Sequence, residues 1–225
     1  MTAPFVYNES HKKRRLYQKR AQTRSFTMKY KNIIFDYGNV IGKFDGRYIM
    51  EQFCSTEKDC DLLCSVIYEK WGELDKGTAD YDCYAKECAS RLPARLADAA
   101  RNFFREWPEH ISPNADTLRF IEELSQRKVP LYLLSNAPTF FVSWAAGNEV
   151  LKQFSGVVFS APLKMAKPDS EIYRWLFHTY SLDPKECFFI DDLEKNIAAG
   201  QALGMDGIVF DGDIRKVKTA IRFDE

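Results

Sequence analysis

Short apolar runs recur at 33–35, 130–134, 156–160, 187–190 and 207–210, each preceded or followed by a stretch with helical spacing. This alternation predicts an α/β fold, a Rossmann-like parallel sheet with helices on both faces. The helices expected around the sheet are 114–127, 138–146, 169–180 and 194–204, with Asn114 placed to cap the first and Pro168 and Gly204 punctuating later ones. Between Asp45 and about His110 the pattern changes. Only helical periods occur there, at roughly 47–54, 58–71, 78–91 and 94–106, and no buried strand is evident. Because this block directly follows the first strand, it reads as an all-helical insertion perched over the strand ends. The expected division is an α/β core from 29–45 and 111–225, a helical cap over 46–110, and an extension over 1–28. There is no internal repeat and no low-complexity segment.

The extension changes the picture locally. Residues 12–24 hold Lys12, Lys13, Arg14, Arg15, Lys19, Arg20 and Arg24 without an acidic residue. Such a run would touch polyanions nonspecifically or act as an address. Its polarity and lack of apolar period predict instead a disordered, dispensable stretch, with Met28 a natural start just ahead of the first strand. The 225 residues, 45% of them hydrophobic, suffice for a sizeable core. Lysine plus arginine and aspartate plus glutamate both number 32, so the formal net charge of zero gives no reason to expect nucleic acid or an anionic membrane as partner. No apolar stretch approaches the roughly 20 residues needed to cross a bilayer, and the first 28 lack a signal-peptide core. The expected location is cytoplasmic. Cys54, Cys60, Cys64, Cys83, Cys88 and Cys187 fit neither a disulfide framework nor a zinc spacing, and are expected as free thiols on helices.

The chemistry lies at the strand ends. Asp36 ends the run Ile33-Ile34-Phe35 and precedes Tyr37-Gly38-Asn39-Val40. Later come Leu133-Leu134-Ser135-Asn136, Lys167-Pro168-Asp169 and Phe188-Phe189-Ile190-Asp191-Asp192. In an open α/β sheet the carboxyl ends of parallel strands converge on one crevice, so these distant residues would share a site. The order Asp, Ser-Asn, Lys-Pro, Asp-Asp resembles the four motifs of the haloacid dehalogenase (HAD) superfamily, over roughly Lys31 to Asp211. Within it, FDYGNV resembles the sugar-phosphate phosphatases that carry D-x-G-N-V at the first motif, and the insertion matches the position of a C1-type helical cap.

The resemblance implies a phosphomonoesterase in which Asp36 attacks phosphorus and forms an aspartyl-phosphate that water hydrolyses. Adjacent carboxylates at Asp191 and Asp192 repel unless a cation relieves them, and Mg²⁺ is the hard divalent ion that does so. Carrying the motif over makes Asp192 the direct ligand, with Asp36 sharing its carboxylate, Gly38 donating its carbonyl, and Asp191 a ligand or its partner; Asn196 would orient the pair. Lys167, favoured over Lys164 by its K-P-D context, would neutralise both Asp36 and the phosphoryl group. Ser135 and Asn136 would donate to phosphoryl oxygens.

One position departs from the family. Typical members carry a general acid two residues after the nucleophile, where this chain has Gly38. Such help is typically worth about 10² to 10⁴ in rate, so an ester with an easily departing oxygen, such as a sugar 1-phosphate, is the expected substrate. Asp45, Tyr37 and cap residues are the candidate substitutes. In the cap, Arg47, Tyr68, Trp71, Tyr81, Tyr84 and Trp107 are candidates to meet the substrate. A small-molecule phosphate ester is the expected partner. The competing readings are a catalytically weak phosphate sensor and, less favoured, a 2-haloacid dehalogenase, which has no use for Asp191-Asp192; a mutase would rely heavily on the missing acid.

Overall fold

The structure is a computed structural model and describes residues 28–223. The basic run and the extension, apart from Met28, lie outside the described residues. Five parallel strands form the sheet in the order β5-β4-β1-β6-β7. They are β1 (Asn32–Phe35), β4 (Leu131–Ser135), β5 (Gly156–Phe159), β6 (Cys187–Asp191) and β7 (Asp206–Val209). The central strands are apolar without alternation because both faces are covered. On one face Ile33, Phe35, Leu133 and Ile190 join Phe120, Ile121 and Leu124 of α6 (Ala115–Gln126) and Val217 and Ile221 of α11 (Ile214–Ile221). On the other, Ile34, Leu134 and Phe189 meet Ile172, Tyr173 and Leu176 of α9 (Ser170–Thr179) and Ile197 of α10 (Glu194–Gln201). Each such side chain, fully buried, contributes about 1.5–3 kcal/mol.

Register sets up the site. Phe35 of β1 lies beside Ile190 of β6 and Leu133 of β4. The residues that follow these two, Asp36 just beyond β1 and Asp191 at the end of β6, therefore lie side by side, with Ser135 closing β4 next to them.

Five α-helices lie between β1 and α6 in sequence: α1 (Gly46–Glu51), α2 (Glu57–Ile67), α3 (Trp71–Lys76), α4 (Tyr81–Arg91) and α5 (Ala94–Glu106). Buried Leu96, Ala100, Phe103 and Phe104 recur along α5 at the helical period and pack on α4, which buries Tyr81, Tyr84 and Cys88. The side chains of Thr56 and Asp80 accept from the Asp59 and Cys83 amides and start α2 and α4. At the neck of this block β2 (Gly42–Lys43) pairs antiparallel with β3 (Ser112–Pro113), a ladder too short to leave a pattern in sequence.

Three details differ from expectation. The helix predicted over 58–71 breaks after Ile67, because the Lys70 amide donates to the Tyr84 hydroxyl at 3.1 Å; α3, which no sequence pattern indicated, begins at Trp71. Asn114 occupies the N-cap of α6 without a capping bond from its side chain. All six cysteines are free, but Cys187 opens β6 and Cys54 lies beyond the end of α1, so not every thiol is on a helix. Among the described residues no helix is long and apolar enough to cross a membrane.

Candidate active site

Asp36 is pinned by its backbone, whose amide donates to the Ile190 carbonyl at 2.9 Å, and its Oδ1 accepts from the Tyr37 amide at 2.7 Å. Lys167 reaches it from the loop between α8 (Ser160–Leu163) and α9. Its Nζ lies 2.9 Å from Asp36 Oδ1 and 2.6 Å from Asp191 Oδ2, with the lysine side chain 1% exposed. Burial works against the Lys167 charge, yet the two carboxylates overcome it and hold the ammonium above the ordinary lysine value. For Asp36 burial dominates and pushes its carboxyl up to about 6, with Asp191 adding to the rise and Lys167 and the Ser135 hydroxyl bond opposing it.

Asp191 is fully buried and saturated. Besides Lys167 it accepts from Asn196 Nδ2 at 2.9 and 3.1 Å and from the Leu193 amide at 2.8 Å. Asp192 is half-buried and more open, accepting at 2.9 Å from Asn39 Nδ2. Asn39 stands in the left-handed region at φ 55°, which asparagine tolerates better than most residues, and its Oδ1 accepts from the Phe44 amide at 3.0 Å. It thus braces Asp192 from the first motif. Asn39 had no role assigned from the sequence, although the N of the GNV triplet was its signal.

Ligand atoms of Asp36, Asp191 and Asp192 all lie within 4.8 Å of one another. Three carboxylates face the one ammonium of Lys167, an excess of negative charge that suits a hard divalent cation held through oxygen. Asn196, which lines the cavity, leaves its buried Oδ1 without a partner among the described residues, an acceptor fit for a water of a hydrated ion. The donor set therefore fits Mg²⁺. The saturation of Asp191 leaves Asp36 and Asp192 as the carboxylates with the most capacity for direct ligation.

Asn136 has a role not expected from the sequence. Its side chain forms a closed pair with the Lys167 backbone, donating to the carbonyl at 2.9 Å and accepting from the amide at 2.8 Å, so that, while lining the cavity, it also fixes the lysine loop. Lys164 is exposed and takes no part in lining the cavity. Gly38 lines the cavity, and a Cβ there would meet nothing within 4 Å.

The cavity above these groups measures about 540 Å³. Its far wall is aromatic: Phe44, Trp71, Trp107 and Phe141, with Trp71 and Trp107 centroids 5.3 Å apart and Trp107 stacked on Phe141 at 5.5 Å. Of the cap residues considered from the sequence, Trp71 and Trp107 line it. Tyr81 and Tyr84 are buried in the helical block, and Arg47 is exposed and paired with Asp61 at 2.5 Å. A fourth carboxylate, Asp75 of α3, also lines the cavity. Burial, together with the charge of Asp36, pushes its carboxyl up to about 7, with Lys167 opposing.

The sequence profile of the haloacid dehalogenase-like hydrolases matches residues 30–204. The chain is 27% identical to a sesquiterpene phosphatase of Aspergillus oryzae over 180 residues, 80% of this chain and 89% of that protein. It is 28% identical to a D-ribitol-5-phosphate phosphatase of Bacteroides thetaiotaomicron over 192 residues, 78% of this chain and 89% of that one. In structure it is similar to a HAD-family enzyme of Bacteroides thetaiotaomicron in complex with magnesium and inorganic phosphate, with a TM-score of 0.61, 26% identity, and coverage of 80% of this chain and 93% of that one.

Proposed function

The chain belongs to the haloacid dehalogenase-like hydrolases, and on that premise we propose that it is a Mg²⁺-dependent phosphomonoesterase acting through Asp36. The observation that carries this reading is the buried Lys167 ammonium set between Asp36 and Asp191, beside a third carboxylate at Asp192. Asp36 Oδ attacks phosphorus, the bond to the leaving oxygen breaks, and water then attacks the aspartyl-phosphate to release inorganic phosphate and restore the carboxylate. Lys167 lowers the repulsion between the nucleophile and the phosphoryl oxygens. Ser135 orients Asp36 through its hydroxyl, and Asn136 holds the Lys167 loop. Asp36, Asp192 and the Gly38 carbonyl would hold Mg²⁺, with Asp191 as a further ligand or partner, and the ion would supply charge neutralisation there. The helices between 46 and 110 act as a cap that excludes water and meets the leaving group.

The leaving group is a small alcohol. A sugar 1-phosphate is the first reading, supported by the resemblance of the D-x-G-N-V motif to sugar-phosphate phosphatases, and its ring would stack on Trp71 or Trp107. The aromatic wall favours a second reading, a more apolar alcohol such as a terpenoid, to which the similarity to a sesquiterpene phosphatase also points. The test is inorganic phosphate release from a panel of hexose 1-phosphates, pentitol phosphates and prenyl phosphates, with and without Mg²⁺. Release that EDTA stops and Mg²⁺ restores is the expected result. Silence across the panel alongside saturable phosphate binding would favour a phosphate sensor, and halide release from 2-haloacids would favour a dehalogenase.

A further inference from the structure

Gly38 leaves the reaction without the usual proton donor, and the candidate substitutes, Asp45, Tyr37 and the unnamed residues of the cap, separate once placed in the fold. Asp45 caps α1, accepting from the Arg47 and Tyr48 amides, and lies exposed outside the cavity. Tyr37 lines the cavity, but its hydroxyl accepts from Asn148 Nδ2 at 3.1 Å and burial raises its pKa further above neutrality. Asp75 is the carboxylate of the helical block that lines the cavity together with Asp36, Gly38 and Lys167.

Its position is built. The Asp75 carbonyl accepts from the Ser160 hydroxyl, and Ser160 Oγ in turn accepts from the Ala137 amide at 2.9 Å, which ties α3 to the turn that follows Ser135 and Asn136. Gly77, at φ 71°, seats the end of α3 so closely on α8 that a Cβ there would come within 2.2 Å of the Ala161 carbonyl oxygen. Lys76 pairs with Asp169 at 2.8 Å, beside the Lys167 loop. Three contacts from three residues on the core thus hold the Asp75 backbone at the cavity.

We propose that Asp75 is the general acid and base of this enzyme, supplied from the helical insert in place of the residue absent at Gly38. This rests on the phosphatase reading above. In the first step Asp36 Oδ bonds to phosphorus while the ester P–O bond breaks with its electron pair going to the leaving oxygen, which takes the Asp75 carboxyl proton and departs as the alcohol. In the second, the Asp75 carboxylate takes a proton from water as its oxygen bonds to phosphorus. The bond to Asp36 breaks with its pair returning to the carboxylate, phosphate leaves, and Asp75 is again protonated. The charged groups around the cavity are Asp36 and Lys167, which act on Asp75 directly, Lys76 paired with Asp169, and Asp192 and Lys195. With the carboxyl raised to about 7, protonated and ionised forms are both populated near neutrality, as a group that donates and then accepts requires.

The test compares wild type, Asp75→Asn, Asp75→Glu and the double variant Gly38→Asp/Asp75→Asn on n-butyl phosphate and p-nitrophenyl phosphate in Mg²⁺. The basic alkoxide needs a proton as it leaves and the stabilised phenolate does not. Asp75→Asn is expected to lower kcat on n-butyl phosphate by about 10²–10⁴-fold, but by less than about 10-fold on p-nitrophenyl phosphate, and to abolish the fall in kcat/KM above neutral pH. Asp75→Glu is expected to recover part of the loss, and so is the double variant, since Gly38 has space for a side chain. Equal losses on the two esters, or an unmoved basic limb, would overturn the role of Asp75 while leaving the phosphatase standing. A wild type silent on both esters would overturn the phosphatase reading and this one with it.

Discussion

Removing Lys167 is the substitution the buried centre should tolerate least. Its ammonium separates Asp36 from Asp191, both carboxylates almost without solvent. Lys167→Ala strands two buried like charges, and breaking such pairs typically costs about 3–5 kcal/mol. Urea unfolding of the Mg²⁺-free protein is expected to show a loss of that order. Asp36→Asn keeps the Lys167–Asp191 pair, so its unfolding midpoint should stay near wild type while turnover falls by several orders of magnitude. Substantial residual activity would remove Asp36 as nucleophile. Proton linkage gives a further outcome at this scale. The carboxyls of Asp36 and Asp75 are raised to about 6 and about 7. Their contribution to stability is therefore fully present below about pH 4 and is lost as pH rises toward 7, where both must ionise against burial. A divalent cation competes with those protons. Mg²⁺ should accordingly raise the Tm more at pH 7.5 than at pH 5, a difference readable by differential scanning fluorimetry; an equal rise at both would contradict the metal assignment. Asp36 and the acidic pair were legible because each adjoins an apolar run that can only be a strand or its exit, and Lys167 was legible from its K-P-D context. Asn39 and Asp75 were not: the link from Asn39 to Asp192 crosses 153 positions, and Asp75 sits in a polar stretch whose neighbours give no period.

At the scale of elements, the sheet was readable because its strands are buried on both faces and stand out as runs. The short pieces were not, since a six-residue helix and two-residue strands carry too few apolar positions to show a period. Those pieces join the insert to the core. α3 depends on two small residues that meet it, Gly77 and Ser160. Gly77→Ala adds a Cβ that would overlap the Ala161 carbonyl, in a backbone region that costs an L-residue about 1–2 kcal/mol on its own. Ser160→Ala removes the hydroxyl that links the Asp75 carbonyl to the Ala137 amide, at about 1–3 kcal/mol for a buried group left unpaired. Both variants should lower kcat on n-butyl phosphate more than on p-nitrophenyl phosphate, because what they disturb is the placement of Asp75. A variant that lost stability while keeping its ratio between the two esters would show that this junction does not position the acid.

Across the whole molecule, the proposed reaction divides phosphoryl chemistry and leaving-group recognition between different parts of the chain. The ends of β1 and β6 hold the carboxylates and the loop before α9 holds the lysine, whereas the aromatic wall combines Trp71 of the insert with Phe44 and Trp107 near its neck and Phe141 of the core helix Thr139–Ala145. A hydrophobic cluster runs without a break from the sheet into the insert, joining Phe35 and Phe120 to Phe103 and Leu63. Truncating Phe103 to Ala should cost about 3–5 kcal/mol in a single cooperative transition rather than melt the insert alone. The α/β class and the helical character of the insert were visible in the period of apolar positions. The shape of the cavity was not, because it arises only where the two parts meet. The central claim is that Asp36 carries the phosphoryl group, and the most direct measurement is mass spectrometry of the acid-quenched enzyme after a single turnover with Mg²⁺ and p-nitrophenyl phosphate. The account predicts one phosphoryl group on the peptide containing Asp36, absent in Asp36→Asn. Full phosphate release with Asp36 never modified at any quench time, or the phosphoryl group found on another residue, would contradict it.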